Sequence, residues 1–128
     1  MIVALIHWRV KLDEASVAAF REHWRTKNSI ADRSKLVAEF LSESLPIASF
    51  PCITWHLDPD STGDFRSFVT VGIWEDTEAF HGQVAQYFND GGPLHQFEQY
   101  RRRRVIFNPV EWRWGGTPLP TADSAGVR

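Results

Sequence analysis

An α+β domain, with one antiparallel sheet carrying two helices on one of its faces, is the fold class this sequence predicts. Three observations predict it. The period of the apolar residues switches between two and about 3.6 along the chain, in the order strand, helix, strand, strand, helix, strand. Two helix starts are marked by capping residues, at Asp13 and at Asp76 or Thr77. The run Val71-Gly72-Ile73-Trp74-Glu75-Asp76 passes from an apolar strand into the second of these helices almost without a loop.

Ile2 to Val10 places Ile2, Ala4, Ile6, Trp8 and Val10 on one face and Val3, Leu5, His7 and Arg9 on the other, the alternation of a strand. Asp13 then caps a helix in which Leu12 is placed to staple onto Val17. Val17, Phe20 and Trp24 carry its apolar stripe to about Lys27. Leu36 to Leu45 alternates again, with Leu36, Ala38 and Phe40 opposed to Val37, Glu39 and Leu41. Pro46 to Pro51 interrupts this strand, Cys52 to Leu57 resumes it, and the turn-forming Asp58 to Asp64 leads into Phe65 to Glu75. The expectation is a long hairpin with a kinked or bulged first arm.

In the second helix, Phe80, Val84, Tyr87 and Phe88 recur at helical spacing until Gly91-Gly92-Pro93. Pro93 is suited to open a further short helix carrying Leu94 and Phe97. Arg103 to about Asn108 forms the last strand, stopped by Pro109, and because proline cannot donate to a ladder the strand either lies at a sheet edge or ends there. Residues 1–114 thus form one domain, a ferredoxin-like βαββαβ sandwich, and residues 115–128 an extended or disordered tail. Apolar residues occupy both alternating faces of the strands near Ile2 to Ile6, Leu36 to Leu41 and Phe68 to Ile73. The face without helices therefore needs a cover, and a second copy of the chain, making a homodimer, is the simplest one.

With 128 residues, 43% apolar and 23% charged, the chain is long and apolar enough for one core. A net charge of −2 argues against a polyanionic partner such as nucleic acid. The lone Cys52 has no internal disulfide partner and sits in an apolar segment, where an inert buried thiol is expected. No apolar run approaches the ~20 residues that span a bilayer, and the start lacks a basic leader region, so a cytoplasmic protein is expected. His7, His23, His56, His81 and His95 show none of the usual metal-ligand spacings, and no glycine-rich phosphate loop follows a strand. Neither metal nor cofactor is expected.

With this element order, the Trp74-Glu75-Asp76 junction between strand and helix, and an aromatic-bounded second helix, the chain resembles the antibiotic biosynthesis monooxygenase family of dimeric α/β barrels. The likeness spans Ile2 to Asn108 in layout. It implies two sheets paired face to face and a small pocket in each subunit between sheet and helices. It also implies a cofactor-independent monooxygenase acting on a small aromatic or quinone-like substrate, although proteins of this kind include isomerases, haem-degrading enzymes and members with no known activity. Many members carry a helix histidine nine residues after the tryptophan. Here that position is Gln83, and the histidine is His81. Haem-degrading relatives use an asparagine on the first strand, and Ile2 to Val10 has none. The alternative is a non-catalytic small-ligand-binding or structural homodimer of the same fold.

For catalysis the candidates are His7 and Arg9, a base and an anion-stabilising guanidinium side by side on the first strand, and His81 on the helix. Their structural counterparts are a hydrogen-bonded interface histidine and a partly exposed helix residue. Trp8, Trp55, Trp74 and Tyr87 are candidate walls of an aromatic-ligand pocket, against the plainer role of core or interface aromatics. Arg101 to Arg104 alternate faces and suit an ion-paired cluster, with Glu98 a partner for Arg102 if the short helix persists. Their alternative is an anion or nucleic-acid contact. An RNA-binding strand motif is matched only at Phe68-Val69.

Overall fold

The computed structural model describes residues 1–27, 30–45, 50, 52 and 63–119. Among them the elements run β1 (Ile2–Lys11), α1 (Glu14–Glu22), β2 (Leu36–Glu43), β3 (Phe65–Trp74), α2 (Thr77–Gln83) and β4 (Glu98–Phe107). The four strands form one antiparallel sheet in the order β2-β3-β1-β4. This is an α+β fold compatible with the ferredoxin-like arrangement. The predicted strand over Cys52 to Leu57 and the turn before Gly63 lie outside the described residues, apart from Cys52 itself.

Both helix starts form as their caps dictate. The Asp13 carboxylate accepts from Ser16 N (2.9 Å) and Asp76 Oδ1 accepts from Ala79 N (2.8 Å), each satisfying an N–H that the first helical turn leaves open. Both carboxyls are held below their ordinary range by those backbone bonds. Leu12, however, is 53% exposed. α1 loosens into a π-helical turn at His23–Lys27.

Even-numbered residues of β1 face the helices and make two apolar clusters. Ile6, Trp8 and Val10 pack with Val17, Phe20, Phe68 and Phe97 under α1, while Ala4 packs with Trp74 and Phe80 under α2. Odd-numbered residues face the other way, and the register aligns Val3, Leu5 and His7 with Ile73, Val71 and Val69 of β3 and with Phe107, Val105 and Arg103 of β4.

Four local expectations are corrected. β2 carries a bulge between Leu36 and Ala38, so the alternation changes phase. Leu36, Glu39 and Leu41 share the helix side, and Ala38 and Phe40 the open side. The second helix ends at Gln83, because Val84 leaves helical geometry (φ −133°), and a short 3₁₀ turn follows at Ala85–Tyr87. Tyr87 leaves the expected stripe and is 72% exposed. No helix starts at Pro93. The chain turns at Gln96 and Phe97 and enters β4 at Glu98, five residues earlier than expected. Cys52 lies exposed in a turn, because the chain bends there instead of extending.

The early start of β4 is built around a buried ion pair. Two register shifts against β1, between His7 and Val10, shorten the distance between Glu98 and Arg102. The Glu98 carboxylate, 0% exposed, accepts from the Arg102 guanidinium (5% exposed) and from Arg102 N at 3.2 Å. Arg102 also lies over the Trp8 ring at 5.5 Å and reaches Asp90 at 3.3 Å. Glu98 and Arg102 therefore pair as foreseen, but through a bulged strand instead of a helix. We expect Arg102→Ala to destabilise the fold by about 3–5 kcal/mol, because it strands a buried carboxylate. Replacing Glu98 and Arg102 together by apolar residues of similar size should cost less than Arg102→Ala alone. Urea unfolding of the variants measures both, and a double replacement as costly as the single one would contradict this reading.

Candidate functional site

Between the two apolar clusters runs a polar seam. Thr70, 2% exposed at the centre of β3, accepts through Oγ1 from the indole N–H of Trp8 and from that of Trp24, each at 3.0 Å. One hydroxyl thus anchors a core tryptophan of β1 and a half-buried tryptophan of the turn after α1. Two residues further along β3, Gly72 stands opposite Glu39 of β2. The Glu39 carboxylate lies back over the bare Cα of Gly72. A Cβ placed there would meet Glu39 Oε2 at 3.3 Å and Trp74 Nε1 at 3.7 Å.

Glu39 is the unusual group of this seam. It is half-buried, and its carboxylate has no hydrogen bond to another described residue. Its carboxyl is pushed up to about 7 by burial, against a weaker opposing pull from Arg33. A carboxyl in this condition exchanges a proton near neutrality and has unfilled acceptor capacity. Sequence reasoning passed over it as one polar residue on an alternating strand. The available signal was an ionisable side chain between Val37 and Leu41 on a face otherwise apolar.

The sequence-derived candidates are dispersed. His7 and Arg9 share the sheet face away from the helices. Arg103 donates to His7 Nδ1 at 2.9 Å, and since a guanidinium has no acceptor, the ring proton sits on Nε2 and is donated to Ser67 Oγ at 2.8 Å. His7 is only 3% exposed, and both its ring nitrogens are engaged within the chain. Arg9 donates to the Arg101 carbonyl and lies over the Tyr100 ring at 5.1 Å. Trp8 and Trp74 are on the helix side, 3% and 1% exposed, each packed in a different cluster. His81 is exposed on α2 and Tyr87 is exposed beyond it. Trp55 lies outside the described residues.

Along α2 an open groove of about 420 Å³ is lined by Asp32, Lys35, Asp76, Glu78, Ala79, Gly82 and Gln83. Its polar groups largely satisfy one another: Lys35 pairs with Asp76 at 3.4 Å, and Gln83 accepts from Asp32 N at 3.0 Å. Among the described residues no group of three or more His, Cys, Asp or Glu side chains is arranged to hold a metal ion, and no helix is long and apolar enough to cross a membrane.

No protein-family model matches the chain, and no curated protein matches it significantly.

The raised Glu39 carboxyl has a consequence for stability. An unfolded glutamate releases its proton near 4.5, whereas the folded chain holds it to about 7. Stability should therefore be unaffected by this group below that window, fall as pH rises through it, and level off above. The loss is at most on the order of 3 kcal/mol. Glu39→Gln should flatten the slope and exceed the wild type in stability above the window. Urea titrations across these pH values test this, and equal slopes in the two proteins would refute it.

Proposed function

We propose that the subunit is a ferredoxin-like βαββαβ sandwich, that two copies pair their open sheet faces into an α/β barrel, and that each acts on a small aromatic or quinone-like molecule as a cofactor-independent monooxygenase of the antibiotic biosynthesis type. The observation that carries the pairing is the open face itself. Val3, Leu5, Val69, Val71 and Ile73 are only half-buried there, and Phe40, Val105 and Phe107 are each 47% exposed. A contiguous apolar face of this extent is rare on a solitary chain and suits a symmetric partner surface. The polar residues among it, His7, Ser67 and Arg103, bond to one another, which lowers the cost of covering them.

The chemical part of the proposal is supported by the helix-side seam, where Glu39 supplies a proton acceptor and Trp24 and Trp74 supply aromatic surroundings, and by the Trp74-Glu75-Asp76 junction. The non-catalytic reading, a ligand-binding or structural homodimer, is favoured by the dispersal of His7, Arg9 and His81, which do not converge on one place.

Size-exclusion chromatography with light scattering should give a dimer for the wild type. Val71→Lys, which sets a charge between Leu5 and Phe40, should give a folded monomer. A monomeric wild type at micromolar concentration would remove the barrel proposal. Oxygen uptake with anthrone-like and hydroquinone substrates should exceed the uncatalysed rate. Turnover that survives both His7→Ala and His81→Ala would clear those two residues of a catalytic role, and the absence of turnover on every substrate would favour the binding module.

A further inference from the structure

We propose that Glu39 is the group that receives a proton from the ligand, and that the ligand is a neutral molecule presenting an acidic O–H, held between the Glu39 carboxylate and the indole of Trp24. The inference rests on the small-molecule reading given above and assigns the residue that does the proton chemistry.

Geometry carries it. Glu39 projects from β2, the outer strand of its half of the sheet, onto the helix side. A half-buried carboxylate ordinarily finds a cation or several N–H donors, and the Glu39 side chain has no hydrogen bond among the described residues. Gly72 opposite it lacks the side chain that would crowd the carboxylate. Trp24 is half-buried, and its ring is fixed by the bond from Nε1 to Thr70 Oγ1, which stands beside Gly72 on the same face of β3. A planar ring against Trp24 could then direct its hydroxyl at the free carboxylate. An anionic ligand would meet the charge of the ionised carboxylate, so it is this ionised form that takes a neutral molecule, which gives up its proton after binding.

The step balances without any other reactant. The ligand O–H bond breaks, the proton forms a new O–H bond on the Glu39 carboxylate, and the electron pair stays on the ligand oxygen, so the negative charge moves from protein to ligand. Burial already favours the protonated form of Glu39, which makes it a stronger base than an exposed glutamate. Arg33 is the charged group whose field reaches it, while β3 presents Thr70, Gly72 and Trp74 and the flanking β2 positions are Leu36 and Leu41, none of which titrates in this range.

The test uses 4-nitrophenol, whose anion is coloured, as the probe with the full-length protein. Wild type should bind it with quenching of tryptophan fluorescence and give the absorbance of a bound phenolate. Glu39→Gln, which keeps the side-chain volume and is expected to fold at least as well, should weaken binding about tenfold or more and lose that absorbance. Gly72→Ala, which crowds the carboxylate without removing it, should fall between the two. Circular dichroism of each variant checks the fold. Equal binding and equal phenolate absorbance in wild type and Glu39→Gln would overturn the proposal, as would no binding by a folded wild type at millimolar probe. Oxygen uptake separates this from the broader reading. Turnover indifferent to Glu39→Gln sinks Glu39 alone, whereas Glu39-dependent probe binding without any turnover keeps this inference and sinks the monooxygenase.

Discussion

A strand paired on both sides sends alternate side chains to opposite faces, and everything else in this fold is arranged around how β1 meets that constraint. β1 is hydrogen-bonded to β3 on one side and β4 on the other, so neither edge is open and both faces carry consequences. Its even residues, Ala4, Ile6, Trp8 and Val10, are buried under the helices. Its odd residues begin as Val3 and Leu5, which stay half-buried, and continue as His7 and Arg9, which find partners on β3 and β4. The division between a helix-covered face and an open face with half-buried apolar residues is thus written in ten consecutive residues.

The helix-covered face is not uniformly apolar, and the interruption is where chemistry is best supported. Two apolar clusters lie under the two helices, and the residues between them are Thr70, Gly72 and Glu39. Thr70 is fully used as an acceptor by two indoles, which fixes both rings without placing a charge in the core. Glu39 is the opposite case. Its carboxylate is half-buried and has no hydrogen bond among the described residues, an arrangement that costs stability near neutral pH and is the kind of cost that functional sites carry.

Much of the scaffold was legible because it depends on short-range periodicity and capping. The cap at Asp13, the cap at Asp76, the alternation of β1 and the edge position of β4 all follow from side-chain types at fixed offsets. What was not legible depends on single-residue changes of phase. The bulge at Val37 moves Glu39 and Leu41 to the same side as Leu36, and no local residue type announces it. The shifts in β4 let Glu98 and Arg102 meet although they are four residues apart on a strand, a pairing the sequence offered only if the short helix opened by Pro93 persisted, since i and i+4 are neighbours in a helix. The helical stripe through Tyr87 failed for a similar reason: periodicity continued in the sequence after Val84 had left helical geometry. The proposed site suffered most, since Glu39 becomes conspicuous only when the bulge has set its face and the neighbouring glycine has been placed beneath it.

The four consecutive arginines show how the same reasoning limits function. In a chain of net charge −2 they are the one strongly basic run, and nucleic-acid binding would need their charges available to displace counterions. Strand alternation divides them instead. Arg102 and Arg104 go to the helix side, where Arg102 holds Glu98 and both grip Asp90, with Arg104 lying over the Phe88 ring at 3.9 Å. Burial works against the charge of Asp90, yet the two guanidiniums keep its carboxyl below the ordinary range, so the ion pairs persist through neutral pH. Arg103 turns to the open face and fixes the tautomer of His7, and Arg101 donates to the carbonyl groups of Asp90 and Gly92. Each guanidinium therefore has a partner inside the fold. Arg101, Arg102 and Arg104 fasten the connection after α2 onto the sheet, and Phe88 in that connection packs against the cluster containing Trp74.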